Sequence, residues 1–263
     1  MLRSYLFVPG NRPDRYEKAL ASRAGAVIVD LEDAVAPDEK QAARSALLAW
    51  LEPAKAVVVR VNAPATEWFE SDLEVCSRPG VTAVVVPKAE TAEQVARVAE
   101  AAARPVLPLV ETARGLWSAL EIAKAPGVAR LLFGSLDYQA DLDTTDDELL
   151  LARSQLVLAS RVAGIGAPVD GITQAIDDDE LLRRDTERAR RLGFGAKLCI
   201  HPRQVDVVNH AFAPTEDDVS WAERVVGAFA ASHGNATLLD GKMIDGPVLA
   251  KAQAILDEAS GAR

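Results

Sequence analysis

The chain has 263 residues, which suits one large α/β barrel or two average domains and is long enough to bury an ample core without staples. Acidic residues outnumber basic ones by 39 to 29, for a formal net charge of −10, so no basic surplus is left to neutralise phosphates and a nucleic-acid partner is not expected. Cys76 and Cys199 lie in apolar surroundings without zinc spacing, no apolar run approaches membrane-spanning length, and the N-terminal residues run straight into a strand pattern, so a cytoplasmic protein with no disulfide framework and no membrane partner is expected.

In chain order, apolar runs predict a strand over 4–8, a helix from Pro13 to Ser22 with proline in its first turn, and a strand over 26–31. A helix from Asp38 to Leu51 follows, then strands over 56–61 and 83–87. Thr91 with Gln94 three residues on forms a capping box that opens a helix to Ala103. Next come a strand over 106–110, a helix from Arg114 to Ala125, a strand over 130–134 and a helix from Glu148 that stops at Gly164. A strand over 168–172, interrupted by Pro168 and Gly171, leads to a helix from Asp177 to Leu192. A strand over 196–200 and a helix from Pro202 to Phe212 close the series.

The strands read as continuous apolar runs, as parallel strands covered on both faces do, and most end in an ionisable residue. That alternation predicts a (β/α)8 barrel (TIM barrel) over 1–212, with the charged strand ends converging on its C-terminal mouth. Beyond Phe212 the alternation stops. Residues 213–263 are predicted to form a helical extension, with helices near 216–232 and 247–259 around a turn-rich stretch, either capping the barrel or reaching a neighbouring subunit.

Glu111 and Asp137 end the fifth and sixth apolar runs, which places two carboxylates side by side at the mouth. Two carboxylates completed by water and substrate oxygens are a usual protein share of a Mg²⁺ site. Helix capping is the competing use of both. Asp30, Glu32 and Asp33 form a second acidic cluster, suited to orienting water around a metal. Arg60 follows a run of valines and points from the barrel, either to clamp a carboxylate or to pair with one of those acids. Lys88 also crowns a strand, as an ion pair or ligand contact. Arg12 and Arg15, in the loop before the first helix, offer a phosphate site or a surface Arg–Asp pair. Walker A, dinucleotide and nucleophile-elbow motifs are absent.

Together, Phe7-Val8-Pro9-Gly10-Asn11-Arg12-Pro13, Asp30-Leu31-Glu32-Asp33-Ala34-Val35, Val59-Arg60-Val61-Asn62, Val86-Pro87-Lys88, Val110-Glu111-Thr112-Ala113-Arg114-Gly115, Phe133-Gly134-Ser135-Leu136-Asp137, Cys199-Ile200-His201-Pro202 and Met243-Ile244-Asp245-Gly246-Pro247 resemble the citrate lyase beta-subunit-like branch of the HpcH/HpaI aldolase/citrate lyase family, related to the malyl-CoA lyases. The resemblance implies a Mg²⁺-dependent lyase that makes or breaks a C–C bond between an acyl-CoA and a small 2-oxo acid. It matches Glu111 and Asp137 to the metal carboxylates, Arg60 to the substrate clamp and Asp30, Glu32 and Asp33 to the acidic cluster. Asp245 matches an aspartate that enters a neighbouring subunit's site, in proteins that are typically trimers or hexamers. Alternatives are the beta subunit of a multi-subunit citrate lyase using a carrier-bound citryl group, a non-catalytic barrel scaffold, and an aldolase using free pyruvate.

Overall fold

The computed structural model describes residues 2–261. Eight short strands, β1 (Ser4–Pro9), β2 (Ala26–Asp30), β3 (Val57–Arg60), β4 (Val81–Val86), β5 (Val106–Val110), β6 (Arg130–Phe133), β7 (Gly166–Asp170) and β8 (Ala196–Cys199), pair in sequence order and close into a barrel. Every pairing is parallel, including the closing one, in which Tyr5 sits opposite Leu198. This is a (β/α)8 barrel.

The valine-rich strands suit this position because both faces are buried. Ile28, Val58, Val85, Leu109, Leu132, Val169 and Leu198 fill the interior together with Tyr5 and Leu107. The alternate residues Val27, Val29, Val57, Val59, Val84 and Val86, all buried, face the helical layer.

That layer comprises α1 (Tyr16–Leu20), α2 (Lys40–Trp50), α3 (Phe69–Cys76), α4 (Ala92–Ala102), α5 (Ala113–Trp117), α6 (Ala119–Lys124), α7 (Ser135–Leu142), α8 (Leu150–Ala163), α9 (Asp179–Leu192) and α10 (Arg203–Phe212). The expected capping box on α4 forms, with Thr91 accepting from the Gln94 amide and the Gln94 side chain reaching back. The helix expected over Arg114–Ala125 is two helices, broken at Ser118.

Two further helices depart from the sequence expectation. α3 starts without a side-chain cap, so no N-terminal signal marks it, yet Phe69, Leu73 and Cys76 bury one face. Its Asp72 accepts from both the backbone and the side-chain amide of Asn62, fixing the segment just beyond Arg60. α7 likewise lacks a side-chain cap and occupies a segment that reads as the tail of a strand. Asp137 therefore lies in the first turn of α7 and not at a strand end, because β6 stops at Phe133.

Residues from Phe212 onward cluster as a separate compact unit. It holds α11 (Glu216–Ala231), an antiparallel hairpin of β9 (Thr237–Leu239) and β10 (Lys242–Ile244), and α12 (Gly246–Ala259). Ala222, Val225, Ile244 and Ala252 form its small core. The hairpin was not expected; its strands have three residues each, too short for a period-2 pattern to register. Among the described residues no helix is long and apolar enough to cross a membrane.

One charged network is buried in the barrel wall. Asp170 is fully buried and accepts from Arg153 Nε at 2.9 Å, with Lys197 Nζ 3.6 Å from its other oxygen. Lys197 also donates to the Gly171 carbonyl at 2.6 Å, and Arg153 and Arg188 converge on Asp146. Val169 and Leu198 point into the barrel, so Asp170 and Lys197 on the opposite parity point out of it. Asp170→Asn leaves two buried cations without their shared counter-charge and should cost about 3–5 kcal/mol of stability. Urea unfolding checks this; an unchanged midpoint would contradict the assignment.

Candidate active site

The acidic turn after β2 is fastened from several sides. Asp30 accepts from the Glu32 amide at 2.9 Å and the Ala34 amide at 3.1 Å, while its own carbonyl takes the Gly10 amide at 2.7 Å. Lys40, buried at the start of α2, donates to the carbonyls of Leu31 and Glu32 at 2.8 and 2.7 Å. Its ammonium also lies 5.3 Å from the centre of the Trp68 ring. Burial pulls the Lys40 pKa below the ordinary lysine value, partly offset by Asp30 and Glu32. The result is a turn of fixed shape that presents Asp30 and Glu32 to the mouth.

Arg60 ends β3, one strand over. Its Nε and one terminal nitrogen grip Asp30 at 2.7 and 2.6 Å, a bidentate fork. The other terminal nitrogen lies 3.0 Å from Glu32 Oε2, an ion pair without hydrogen-bond alignment, since that oxygen has no hydrogen-bond partner. Burial opposes the guanidinium charge, but Asp30, Glu32 and Asp33 outweigh it and raise the pKa. Lys88 donates from its ammonium to Glu32 Oε1 at 2.8 Å. Burial raises the Glu32 pKa, against the opposing pull of Arg60 and Lys88.

Lys88 has a second task. Its φ of +48° is in the left-handed region, which is uncommon for a residue with a Cβ, and its backbone N–H donates to Glu111 Oε1 at 2.7 Å. Glu111, directly after β5, is 1% exposed, and its Oε2 has no hydrogen-bond partner. Burial, reinforced by the negative charges of Glu32 and Asp137, pushes its pKa up to about 8. Glu111 is not the helix cap that its position allows, because Thr112 caps α5 by accepting from the Gly115 amide. Gly134, opposite, has no room for a side chain: a Cβ there would stand 2.4 Å from Glu111 Cβ and 2.5 Å from Oε2.

These groups line a cleft of about 360 Å³ at the C-terminal mouth of the barrel, where barrel enzymes place their chemistry. Asp30, Asp33, Arg60, Glu111 and Asp137 all border it. Among the described residues no three His, Cys, Asp or Glu side chains converge as a ready-made metal cage. The donor set that does fit a hard cation is a carboxylate pair, the unpartnered Glu111 oxygen and the exposed Asp137 that lines the same cleft, to be completed by water or substrate oxygens.

Arg12 and Arg15 are not among the residues that line this cleft. Arg12 forms a half-exposed pair with Asp14. Arg15 lines an adjoining hollow of about 400 Å³ that shares Phe7, Pro9 and Ile200 with the cleft and also carries Lys18 and His201. Asp245 belongs to the C-terminal unit, where its side chain accepts from the Val248 amide and caps α12. Sequence reading overlooked Lys40, although a lysine within the apolar pattern of a helix start was visible. It also overlooked the apolar wall of the cleft, which in sequence is indistinguishable from core.

The barrel with its acidic mouth places the chain among the (β/α)8-barrel enzymes. It belongs to the HpcH/HpaI aldolase/citrate lyase family, whose model matches residues 3–202. A citrate lyase subunit beta-like protein from Deinococcus radiodurans is 42% identical, covering 97% of this chain and 96% of its own. A (3S)-malyl-CoA thioesterase from Cereibacter sphaeroides is 37% identical over 96% of this chain and 95% of its own. The crystal structure of the Mycobacterium tuberculosis protein CitE, in complex with magnesium, acetoacetate and coenzyme A, superposes with a TM-score of 0.88 at 38% identity, covering 98% of each chain.

The raised Glu111 pKa has a definite sign in stability. The folded carboxyl holds its proton up to about pH 8 whereas the unfolded one releases it near the ordinary glutamate value of 4.5, so folding stability falls as pH rises between those values. Glu111→Gln removes the effect. In metal-free buffer the variant should melt higher than wild type at about pH 9, with the gap shrinking towards about pH 5. Parallel melting curves would refute the buried-acid assignment.

Proposed function

We propose that the chain is a Mg²⁺-dependent carbon–carbon lyase that cleaves a 3-hydroxyacyl-CoA thioester, such as a malyl-, citramalyl- or citryl-CoA, into an acyl-CoA and a 2-oxo acid, or joins the two in reverse. The observation that carries this reading is the Glu111 carboxylate, buried with one oxygen unpartnered in a cleft that Asp137 and Arg60 also line. Glu111 and Asp137 would hold the metal, which when bound supplies a Lewis acid for charge developing on a substrate oxygen. The magnesium and coenzyme A bound by the M. tuberculosis relative, and the malyl-CoA named for the C. sphaeroides one, support the same chemistry here.

In the cleavage direction the substrate hydroxyl passes its proton to a water ordered at the mouth, its oxygen becomes the ketone oxygen, and the C–C electron pair passes to the thioester fragment as an enolate. The enolate carbon then takes up a proton, so hydrogens balance. Arg60, held flat by the Asp30 fork, keeps positive charge where the hydroxyl oxygen becomes anionic and holds the acid half. Asp30 and Glu32 fix that guanidinium and order water at the mouth. Arg12, Arg15 and Lys88 hold the anionic groups of the CoA half. Asp245, acting across a subunit interface of a homotrimer or hexamer in the cytoplasm, or a water molecule, protonates the enolate.

If the chain were instead one subunit of a multi-subunit citrate lyase, free CoA thioesters would be poor substrates without partner chains. The isolated protein should therefore turn over CoA thioesters with Mg²⁺ and lose activity in excess chelator. Arg60→Lys loses the fork geometry and should lower kcat/KM by roughly 100-fold; near-wild-type turnover would exclude the clamp.

Asp245→Ala should cut turnover while leaving Mg²⁺ affinity unchanged. Mixed under subunit exchange with inactive Glu111→Ala, it should regain activity, because some sites then draw both intact groups from different chains. No recovery despite demonstrated exchange would remove Asp245 from a shared site.

A further inference from the structure

Between β7 and α9 the chain runs through 171–178 without regular secondary structure, and Ile172 of this segment lines the cleft. Among the described residues no backbone–backbone hydrogen bond holds 172–177. Side chains from β8 and α10 hold the segment instead. Lys197 donates to the Gly171 carbonyl at 2.6 Å, and Gln204 Nε2 donates to the carbonyls of Thr173 and Ala175 at 2.9 and 3.2 Å. Carbonyls two residues apart in an extended chain share a direction, and here three such carbonyls meet donors from the same neighbouring elements. The Thr173 hydroxyl adds a bond to Asp185 at 2.8 Å, and an exposed ion pair between Asp177 and Arg203 closes the segment.

Gln204 stands in the first turn of α10 and is 1% exposed. Its Oε1 accepts from the Ile200 amide at 2.8 Å, so the same side chain also fixes the segment after β8. Both of its donors and one acceptor position are therefore spent on backbone groups of two different loops. Gln204 does not line the cleft, but Ile172 and Ile200, one from each loop, do. The segment after β7 is stopped on another side by α7. A Cβ at Gly171 would stand 2.2 Å from Ser135 Oγ, and Ser135 opens the helix that carries Asp137. Lys197 secures that end at Gly171, whereas Gln204 alone secures the carbonyls of Thr173 and Ala175. The metal carboxylates thus do not depend on Gln204, and the two isoleucines of the wall do.

We infer that Gln204 is a positioning residue for the reaction, an inference that rests on the lyase reading: by clasping the loops after β7 and β8 together it sets Ile172 and Ile200 as the wall against which the substrate is aligned. The experiment compares Gln204→Leu, which keeps the bulk of the side chain and removes its hydrogen bonds, with wild type in turnover of malyl-, citramalyl- and citryl-CoA at saturating Mg²⁺. For the best of these substrates kcat/KM should fall roughly 10- to 100-fold, because a displaced wall loses the reacting geometry. Calorimetric Mg²⁺ affinity should be unchanged. Since Gln204 acts through the isoleucines, its loss should not add to theirs: in an Ile172→Ala background Gln204→Leu should cost less than about 3-fold. Near-wild-type kcat/KM, or losses that multiply independently, would overturn the inference and leave the lyase reading intact. A parallel loss of Mg²⁺ affinity would mark a general loosening of the mouth and overturn it too. If Gln204→Leu does not fold, Gln204→Glu replaces it under the same outcomes, since it keeps the length and the acceptor for the Ile200 amide but loses both donors. Absence of turnover by wild type with all three thioesters would overturn the lyase reading, and the clasp is then judged by amide hydrogen exchange. The Ile200 N–H should exchange at least ~10-fold faster in Gln204→Leu, or the amides of 172–177 in Gln204→Glu; unchanged protection would overturn the clasp.

Discussion

Burying a carboxylic acid with one of its oxygens unpartnered is unfavourable, and much of the barrel mouth is arranged around Glu111, whose free oxygen, unlike those of Glu32 and Asp170, has no ion-paired cation beside it among the described residues. Glu111 is held by a single strong contact, the backbone amide of Lys88. To offer that amide, Lys88 adopts a left-handed backbone conformation that costs on the order of 1 kcal/mol or more. Gly134 gives up any side chain so that the carboxyl has room. Glu32 and Asp137 stand close enough to raise the proton affinity of Glu111 further, whereas a structural acid would be surrounded by donors. A site organised to make an anion uncomfortable is one that gains by receiving a cation.

The rest of the mouth keeps its charges in alternation. Asp30 binds Arg60, Arg60 faces Glu32 and Glu32 binds Lys88, so each acid lies next to a base. Lys40 contributes from behind by holding the carbonyls of the Asp30–Glu32 turn, which fixes where both carboxylates point. A similar set of residue types, Asp170, Lys197 and Arg153, is gathered around β7 and β8 and performs no such duty. The difference is parity: those side chains leave the barrel wall outward and meet helices, where Asp170 is ion-paired with both Arg153 and Lys197. Opposite charges near a strand end can therefore serve either the mouth or the wall, according to whether the residue sits at an odd or an even step from the interior.

That parity explains how much could be read in advance. The continuous valine runs revealed the strands and their count, since only a strand covered on both faces reads that way. The positions of Asp30, Arg60 and Glu111 followed, because each comes at or just beyond a strand's last residue. Asp137 was found for a partly mistaken reason, as it sits in α7 and reaches the cleft from a helix. Helix α3 was not legible, because its buried Phe69–Leu73–Cys76 stripe is short and its start carries no capping side chain. Lys40 could not be assigned a role from sequence, since its partners are backbone carbonyls that only the folded turn brings within reach. The adjoining hollow beside Arg15 was equally invisible, being assembled from β1, α1 and the segment after β8.

The central claim is that Glu111 exchanges a proton for a divalent cation shared with Asp137. Calorimetric titration of Mg²⁺ into the protein near neutral pH, repeated in buffers of different ionisation enthalpy, measures both the affinity and the protons released. The account predicts release approaching one proton per Mg²⁺ in the wild type, because Glu111 titrates at about 8. Glu111→Gln should bind Mg²⁺ far more weakly and release none, and Asp137→Asn should bind weakly as well. Undiminished Mg²⁺ affinity in both variants, or binding without proton release in the wild type, would contradict it.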